Sequence, residues 1–75
     1  MSLKRDLAKE IRMIEAEIQS LEIKRSRSQA ALIEALISRK DPDDTDVEYF
    51  RAYTAQIDVK REKLKSATKQ LEALI

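Results

Sequence analysis

Only one segment of this chain interrupts helix formation, the acidic stretch 41–44, which reads Asp-Pro-Asp-Asp and lies just past the middle of the 75 residues. The chain has no glycine and no second proline, so it lacks any other strong helix breaker. Proline disfavours helical geometry in the residue before it, so the first helix should end near Lys40. The sequence therefore predicts a helix over 3–40, a turn over 41–44 and a helix over 45–74.

Two starts are open for the second helix. Thr45 and Glu48 have the spacing of a capping box, in which each side chain bonds to the backbone N–H of the other. Alternatively, Asp41 caps the helix and Pro42 occupies the first helical position, where its missing N–H costs nothing. With either start, a loop of about four residues makes the two helices antiparallel neighbours.

Apolar residues recur every seven positions along two lines in each helix, which is the period of a coiled coil. In the first helix the lines are Leu7, Ile14, Leu21, Ser28 and Ala35, and Ile11, Ile18, Arg25 and Leu32. In the second helix they are Phe50, Ile57, Leu64 and Leu71, and Val47, Thr54, Arg61, Thr68 and Ile75. The predicted fold class is all-α, an antiparallel two-helix coiled-coil hairpin. We call the contact between these lines the seam.

Folding the chain about its turn also predicts a register for the seam. The facing pairs are Ala35 with Phe50, Ser28 with Ile57, Leu21 with Leu64, and Ile14 with Leu71. In this register residues 1–9 extend past the end of the second helix, so they should fray or contact another partner.

A further apolar line lies on the first helix, on the side away from the seam. It consists of Ala16, Ile23, Ala30 and Ile37, with Met13 and Ile33 beside it. A helix that is apolar on two faces is usually packed on both, and a hairpin of this size buries little surface alone. The sequence predicts a homodimer that forms a four-helix bundle, with a different helical protein as the alternative partner. Scattered surface residues would give a similar pattern.

Arg25 and Arg61 both fall on the seam, where two unpaired cations would be costly. We expect Arg25 to pair with Asp58 or Glu62, and Arg61 to pair with Glu22. Such a polar layer commonly fixes the register and oligomeric state of a coiled coil.

The charges are distributed unevenly along the chain. Residues 41–48 hold five acids and no base, whereas the segments on either side each carry a net charge of +3. Acidic residues at a helix start stabilise it through the helix dipole. A Ca²⁺ site is disfavoured, because the spacing of the acids is not that of an EF-hand loop and the glycine it requires is missing.

Basic residues form a belt on the stem of the hairpin, and a belt of this kind could contact a nucleic-acid backbone. The belt consists of Lys24, Arg27, Lys60, Lys63 and Lys65, together with the two seam arginines. Interleaved acids favour the alternative of a solvated flank, and no aromatic residue lies in the belt to stack on a base.

The aromatic residues follow directly after the turn. Phe50 lies on the seam, while Tyr49 and Tyr53 cannot both point inward. Tyrosine is favoured at protein interfaces. Together with Ile33, Leu36 and Ile37, the tyrosines either form a contact patch or cover their own core.

Composition excludes several functional classes. Without cysteine or histidine there is no disulfide and no ordinary zinc, haem or iron–sulfur site, and without glycine there is no phosphate-binding loop. No residue pattern suggests a catalytic, cofactor or metal site, so the chain should not be an enzyme. The longest apolar runs are a few residues, so no segment should span a membrane, and no signal peptide is visible. We therefore expect a cytoplasmic location. The sequence predicts a protein–protein interaction module, namely a small assembly, adaptor or chaperone-like protein.

The predicted layout resembles three families of helical hairpins. Rop-type dimers are antiparallel four-helix bundles that bind RNA pairs, and this likeness implies a small nucleic-acid-binding regulator. The hairpin chaperones of type III secretion hold a partner subunit before export. The acidic run 43–49 is similar to the tip of Gre-type transcript cleavage factors, which probe the catalytic centre of RNA polymerase, and this likeness implies a regulator that probes a large enzyme with its acidic tip. The acid spacing here departs from the Gre-type motif, and no residue role is carried over from these families.

Overall fold

A computed structural model describes residues 2–75 of the chain as two antiparallel helices, α1 (Leu3–Ile37) and α2 (Asp44–Ala73). The helices pack along each other and give a rod of 56 × 16 × 14 Å. No strand occurs in the part of the chain that the structure describes. The predicted all-α hairpin is therefore confirmed at the level of two packed helices.

α1 ends at Ile37, three residues before the predicted end, and the turn that follows explains why. The N–H of Lys40 donates to the carbonyl of Ala35 at 2.9 Å, and the N–H of Arg39 donates to that of Leu36 at 3.1 Å. This pair of bonds is a Schellman motif, which closes a helix around one residue in the left-handed region. Arg39 occupies that position with φ 54°. Local hydrogen bonding therefore stops α1 before Pro42 does.

α2 begins at Asp44, and Asp43 is its N-cap. The Asp43 carboxylate accepts the N–H of Thr45 at 2.9 Å. Neither predicted start was correct, because Asp43 is in extended geometry (φ −66°, ψ 132°) and presents a better acceptor than the Thr45 hydroxyl. At the other end, the Ser2 hydroxyl accepts the N–H of Arg5 and caps α1.

The core lies midway along the rod, where Ile57 of α2 is completely buried. It clusters with Ile14 and Ile18 of α1, and Leu21 and Leu64 pack against this cluster. Burying one such side chain contributes roughly 1.5–3 kcal/mol. The seam of α1 follows the predicted lines, since its buried residues belong to them.

The seam of α2 differs from its predicted second line. Ala67 is buried and Lys60 and Tyr53 are half-buried, whereas Arg61 on the predicted line is exposed. Thr54 and Thr68, also on the predicted line, are half-buried. α2 therefore contacts α1 over three adjacent lines, with Phe50, Ile57, Leu64 and Leu71 in the middle. Such a broad stripe is usual for a helix in a globular protein.

Polar seam residues satisfy their hydroxyl groups locally. The hydroxyls of Thr54 and Thr68 donate to the carbonyls four residues earlier, at 2.8 and 2.7 Å. The hydroxyl of Ser28 donates in the same way to Lys24 at 3.5 Å. Within residues 2–75 no buried side-chain polar atom lacks a partner. These residues cost the seam apolar area but leave no unpaired polar group.

The predicted register is wrong by about eight residues, or roughly two helical turns. It placed Lys60 opposite Arg25, but Lys60 forms an ion pair with Glu17, further toward the N-terminus of α1. Glu10 likewise lies beside Ala67 and Gln70. Because the loop occupies residues 38–43 rather than 41–44, α2 reaches further along α1. Residue 1 of the predicted overhang lies outside the described residues, and residues 2–9 do not all overhang: α1 begins at Leu3, and Leu7 is only 7% exposed.

Candidate interaction surfaces

The apolar line on the far side of α1 is open to solvent in the structure. Ala16, Ile23, Ala30 and Ile37 are all exposed, with Ile23 at 56% and Ile37 at 71% of their full accessible surface. They recur every seven residues, so they lie in one row along the helix. We call this row the outer face of α1. It lies opposite the seam, and the second helix of the hairpin does not cover it.

Further apolar residues widen the outer face. Met13 and Ile33 are exposed, as expected from their positions beside the row. Leu36 is also exposed, at 68%, and lies one turn from Ile33. Ala30, Ile33, Leu36 and Ile37 therefore form a compact apolar patch at the turn end of α1. Contiguous exposed apolar surface of this kind is typical of interaction sites.

The two tyrosines lie on the side of α2 near the turn. Tyr49 is exposed and Tyr53 is half-buried, as expected for a pair that cannot both point inward. Their rings are stacked, with centroids 6.0 Å apart and an interplanar angle of 13°. Stacking fixes Tyr49 over Tyr53 and leaves one ring open to a partner.

The polar layer is present only in part. Arg61 lies 3.9 Å from Glu22, which is the expected pair, although both side chains are about half exposed. Arg25 is half-buried and, within residues 2–75, forms no ion pair with Asp58, Glu62 or any other acid. The expected pairing of Arg25 is wrong, because the shifted register moves Asp58 and Glu62 away from it. Lys60 and Glu17 form the closer ion pair of the seam instead.

The bases of the predicted belt do not form one continuous surface. Lys60 is half-buried and neutralised by Glu17. Lys24, Arg27, Lys63 and Lys65 are exposed. Because Lys60 reaches Glu17, seven positions before Lys24, the two halves of the belt are offset by about 10 Å along the rod. This offset spreads the positive charge rather than concentrating it.

Three of the acids at and just after the turn have structural roles at the start of α2. Asp43 caps α2, and Asp44 and Asp46 lie in the first turn of that helix, where they stabilise its dipole. Asp41 is exposed. Within residues 2–75 no three acidic, histidine or cysteine groups lie close enough to hold a metal ion.

Sequence reasoning missed a shallow groove on α2. Ala55, Gln56, Val59 and Lys60 line a depression of about 240 Å³, with Val59 exposed at 57%. The sequence signal for this groove is weak. It consists of Ala55 and Val59, which lie four residues apart on the side of α2 away from the seam and belong to no seven-residue apolar repeat. The groove is small compared with the pockets of about 300–1,000 Å³ that bind ligands.

Neither described helix is long and apolar enough to cross a membrane. Comparisons with protein-family models, with curated proteins and with solved structures give no match to this chain. The functional argument therefore depends on the residues of the hairpin itself.

Proposed function

We propose that this protein is a non-enzymatic protein–protein interaction module that assembles through the outer face of α1, first of all with a second copy of itself. The observation that carries the proposal is the row of exposed apolar residues, which repeats every seven positions opposite the seam. A row in helical register is what a second helix can pack against, whereas scattered residues are not. The assembly proposed is a homodimer containing four helices.

The stability of a lone hairpin supports the same proposal. Each helix buries one side, and within residues 2–75 the buried apolar core consists of Leu7, Ile14, Ile18, Ile57 and Ala67. A core of this size rarely offsets the conformational entropy lost by a chain of this length. Covering the outer face of α1 adds buried apolar surface without any change in the hairpin. In a small assembly, adaptor or chaperone-like protein of this type, a helix of the partner protein would replace the second copy on the outer face of α1.

Substitution of Ile23 tests this proposal, with Val59 as a matched control. Ile23 on α1 is 56% exposed and Val59 on α2 is 57% exposed, so an aspartate costs each helix about the same. We expect the wild-type chain and Val59→Asp to show twice the 8.7 kDa chain mass by light scattering. Ile23→Asp should remain monomeric and be less stable than the wild type. A wild-type chain that is monomeric at every concentration would contradict self-assembly.

Size-exclusion chromatography coupled to the light scattering also tests nucleic-acid binding, which the division of the basic belt disfavours. Absorbance at 260 nm that co-elutes with the protein and disappears in high salt would support it. We expect no such signal, because the belt is divided and Lys60 is already paired.

A further inference from the structure

The outer face of α1 alternates in side-chain size, and this alternation selects one way of pairing two copies. From the N-terminus the row reads Ala16, Ile23, Ala30, Ile37. In a parallel dimer in register, each isoleucine would meet an isoleucine and each alanine an alanine, which alternates crowding with gaps. In an antiparallel dimer whose two-fold axis passes between Ile23 and Ala30, every isoleucine faces an alanine. Facing a large residue with a small one is how packed layers interdigitate.

Other antiparallel registers use this face less well. A two-fold axis at Ile23 or at Ala30 pairs like with like at the centre. An axis between Ala16 and Ile23 leaves Ile37 without a partner. The register centred between Ile23 and Ala30 is the one that places Ala16 opposite Ile37 and uses all four residues of the row.

Charge favours the same arrangement independently of size. In this register the turn of one copy lies beyond Ile37, and therefore about one turn past Ala16 of the other copy. Exposed Lys9 and Arg12 of the second copy occupy that height on its outer side. The turn carries exposed Asp41 and Asp44. A parallel dimer would instead bring two acidic turns together, which is repulsive.

None of these four charged side chains forms an ion pair within residues 2–75. The ion pairs found within residues 2–75 are Lys60 with Glu17 and Arg61 with Glu22. Lys9, Arg12, Asp41 and Asp44 are therefore all available for contacts between copies. Symmetry makes the contact twice, once at each end of the dimer.

We propose that two copies dock antiparallel through the outer faces of α1, with the two-fold axis between Ile23 and Ala30 and the acidic turn of each copy against Lys9 and Arg12 of the other. This proposal rests on the self-assembly proposed above and adds its orientation and register. Because the outer face is opposite the seam, the two α1 helices lie in the centre and the two α2 helices lie outside. The assembly is then an open layer of four helices rather than a closed square bundle.

Spin labels on the full chain measure the register directly, because the native sequence contains no cysteine. Ser20, Ser26 and Ser38 are exposed positions for single Ser→Cys variants. The proposed register places the two labels of a dimer side by side at Ser26. Their separation along the rod rises to about 20 Å at Ser20 and about 35 Å at Ser38. Electron–electron double resonance should therefore give distances that increase in the order Ser26, Ser20, Ser38.

Other outcomes of the labelling experiment separate the two proposals. Equal distances at the three positions would show a parallel dimer and overturn the register while leaving self-assembly intact. A shortest distance at Ser20 or Ser38 would also overturn the register. A chain that light scattering shows to be monomeric, with no distance at any position, would overturn self-assembly as well.

Charge reversal tests the contact between turn and α1 without cysteine. One variant carries Lys9→Glu and Arg12→Glu, and the other carries Asp41→Lys and Asp44→Lys; both retain Asp43, which caps α2. Each variant alone should dimerise about tenfold more weakly than the wild type at low salt, because both ends of its dimer are repulsive. A mixture of the two should form a heterodimer of near wild-type affinity, since both ends are then complementary. If mixing restores nothing while both variants remain helical, the proposed contact is wrong.

Discussion

At the scale of single residues, Arg39 is the position where the backbone conformation is sterically unfavourable for a residue with a side chain. It adopts φ 54°, in the left-handed region, where glycine is the usual residue in a Schellman motif. For an L-residue other than glycine this geometry costs roughly 1–2 kcal/mol. The chain contains no glycine at all, so the turn bears that cost. The hydrogen bonds from Arg39 and Lys40 to the last carbonyls of α1 offset it.

Replacing Arg39 by glycine should therefore stabilise the hairpin. The expected gain in the free energy of unfolding is about 0.5–1 kcal/mol, because part of the relief is lost to the larger entropy of the unfolded chain. Urea unfolding followed by circular dichroism measures it. Ser38→Gly is the matched control, since Ser38 has φ −80° and gains nothing from glycine. If both variants are destabilised to the same extent, the strain at Arg39 is not real.

At the scale of the helices, the turn and the seven-residue repeat predicted the hairpin, and the buried residues described in α1 all fall on the predicted lines, most of which large aliphatic residues mark. The repeat did not predict one flank of the α2 seam. Alanine occurs on buried and exposed faces alike, and a lysine is expected in solvent. In the structure Ala67 is buried, and Lys60 is half-buried and paired with Glu17. The loop is also longer than predicted, because it spans residues 38–43 instead of 41–44. A left-handed arginine carries no sequence signal, and its effect on the turn shifted the register of every facing pair.

Glutamate substitutions distinguish the observed seam from the predicted one. Ala67→Glu places a charge at a buried position and should lower the free energy of unfolding by about 2 kcal/mol. Ser66→Glu changes an exposed neighbour to the same good helix former and should have an effect within about 0.5 kcal/mol. Thermal unfolding measures both variants. If Ala67→Glu is as stable as Ser66→Glu, Ala67 does not lie in the seam. The predicted line through Thr68 would then describe that side of α2.

At the scale of the whole molecule, folding and assembly should be coupled. The row on the outer face of α1 was predicted from its spacing, and the structure exposes all four of its residues. Spacing alone could not identify the partner that covers these residues, because a helix of a second copy and a helix of another protein present similar grooves. The hairpin itself has a rod shape of 56 × 16 × 14 Å, so much of its surface faces solvent. A second copy would reduce that surface where it is most apolar.

Coupling predicts that the melting temperature depends on protein concentration. For a dimer that unfolds to two chains, mass action raises the midpoint by about 4 °C for each tenfold increase in concentration. Thermal melts followed by circular dichroism over a hundredfold range of concentration would show this rise for the wild type and for Val59→Asp. Ile23→Asp should melt at a lower temperature that does not change with concentration. A wild-type midpoint that is constant over this range would mean that the hairpin folds alone, and that the outer face of α1 contributes nothing to its stability.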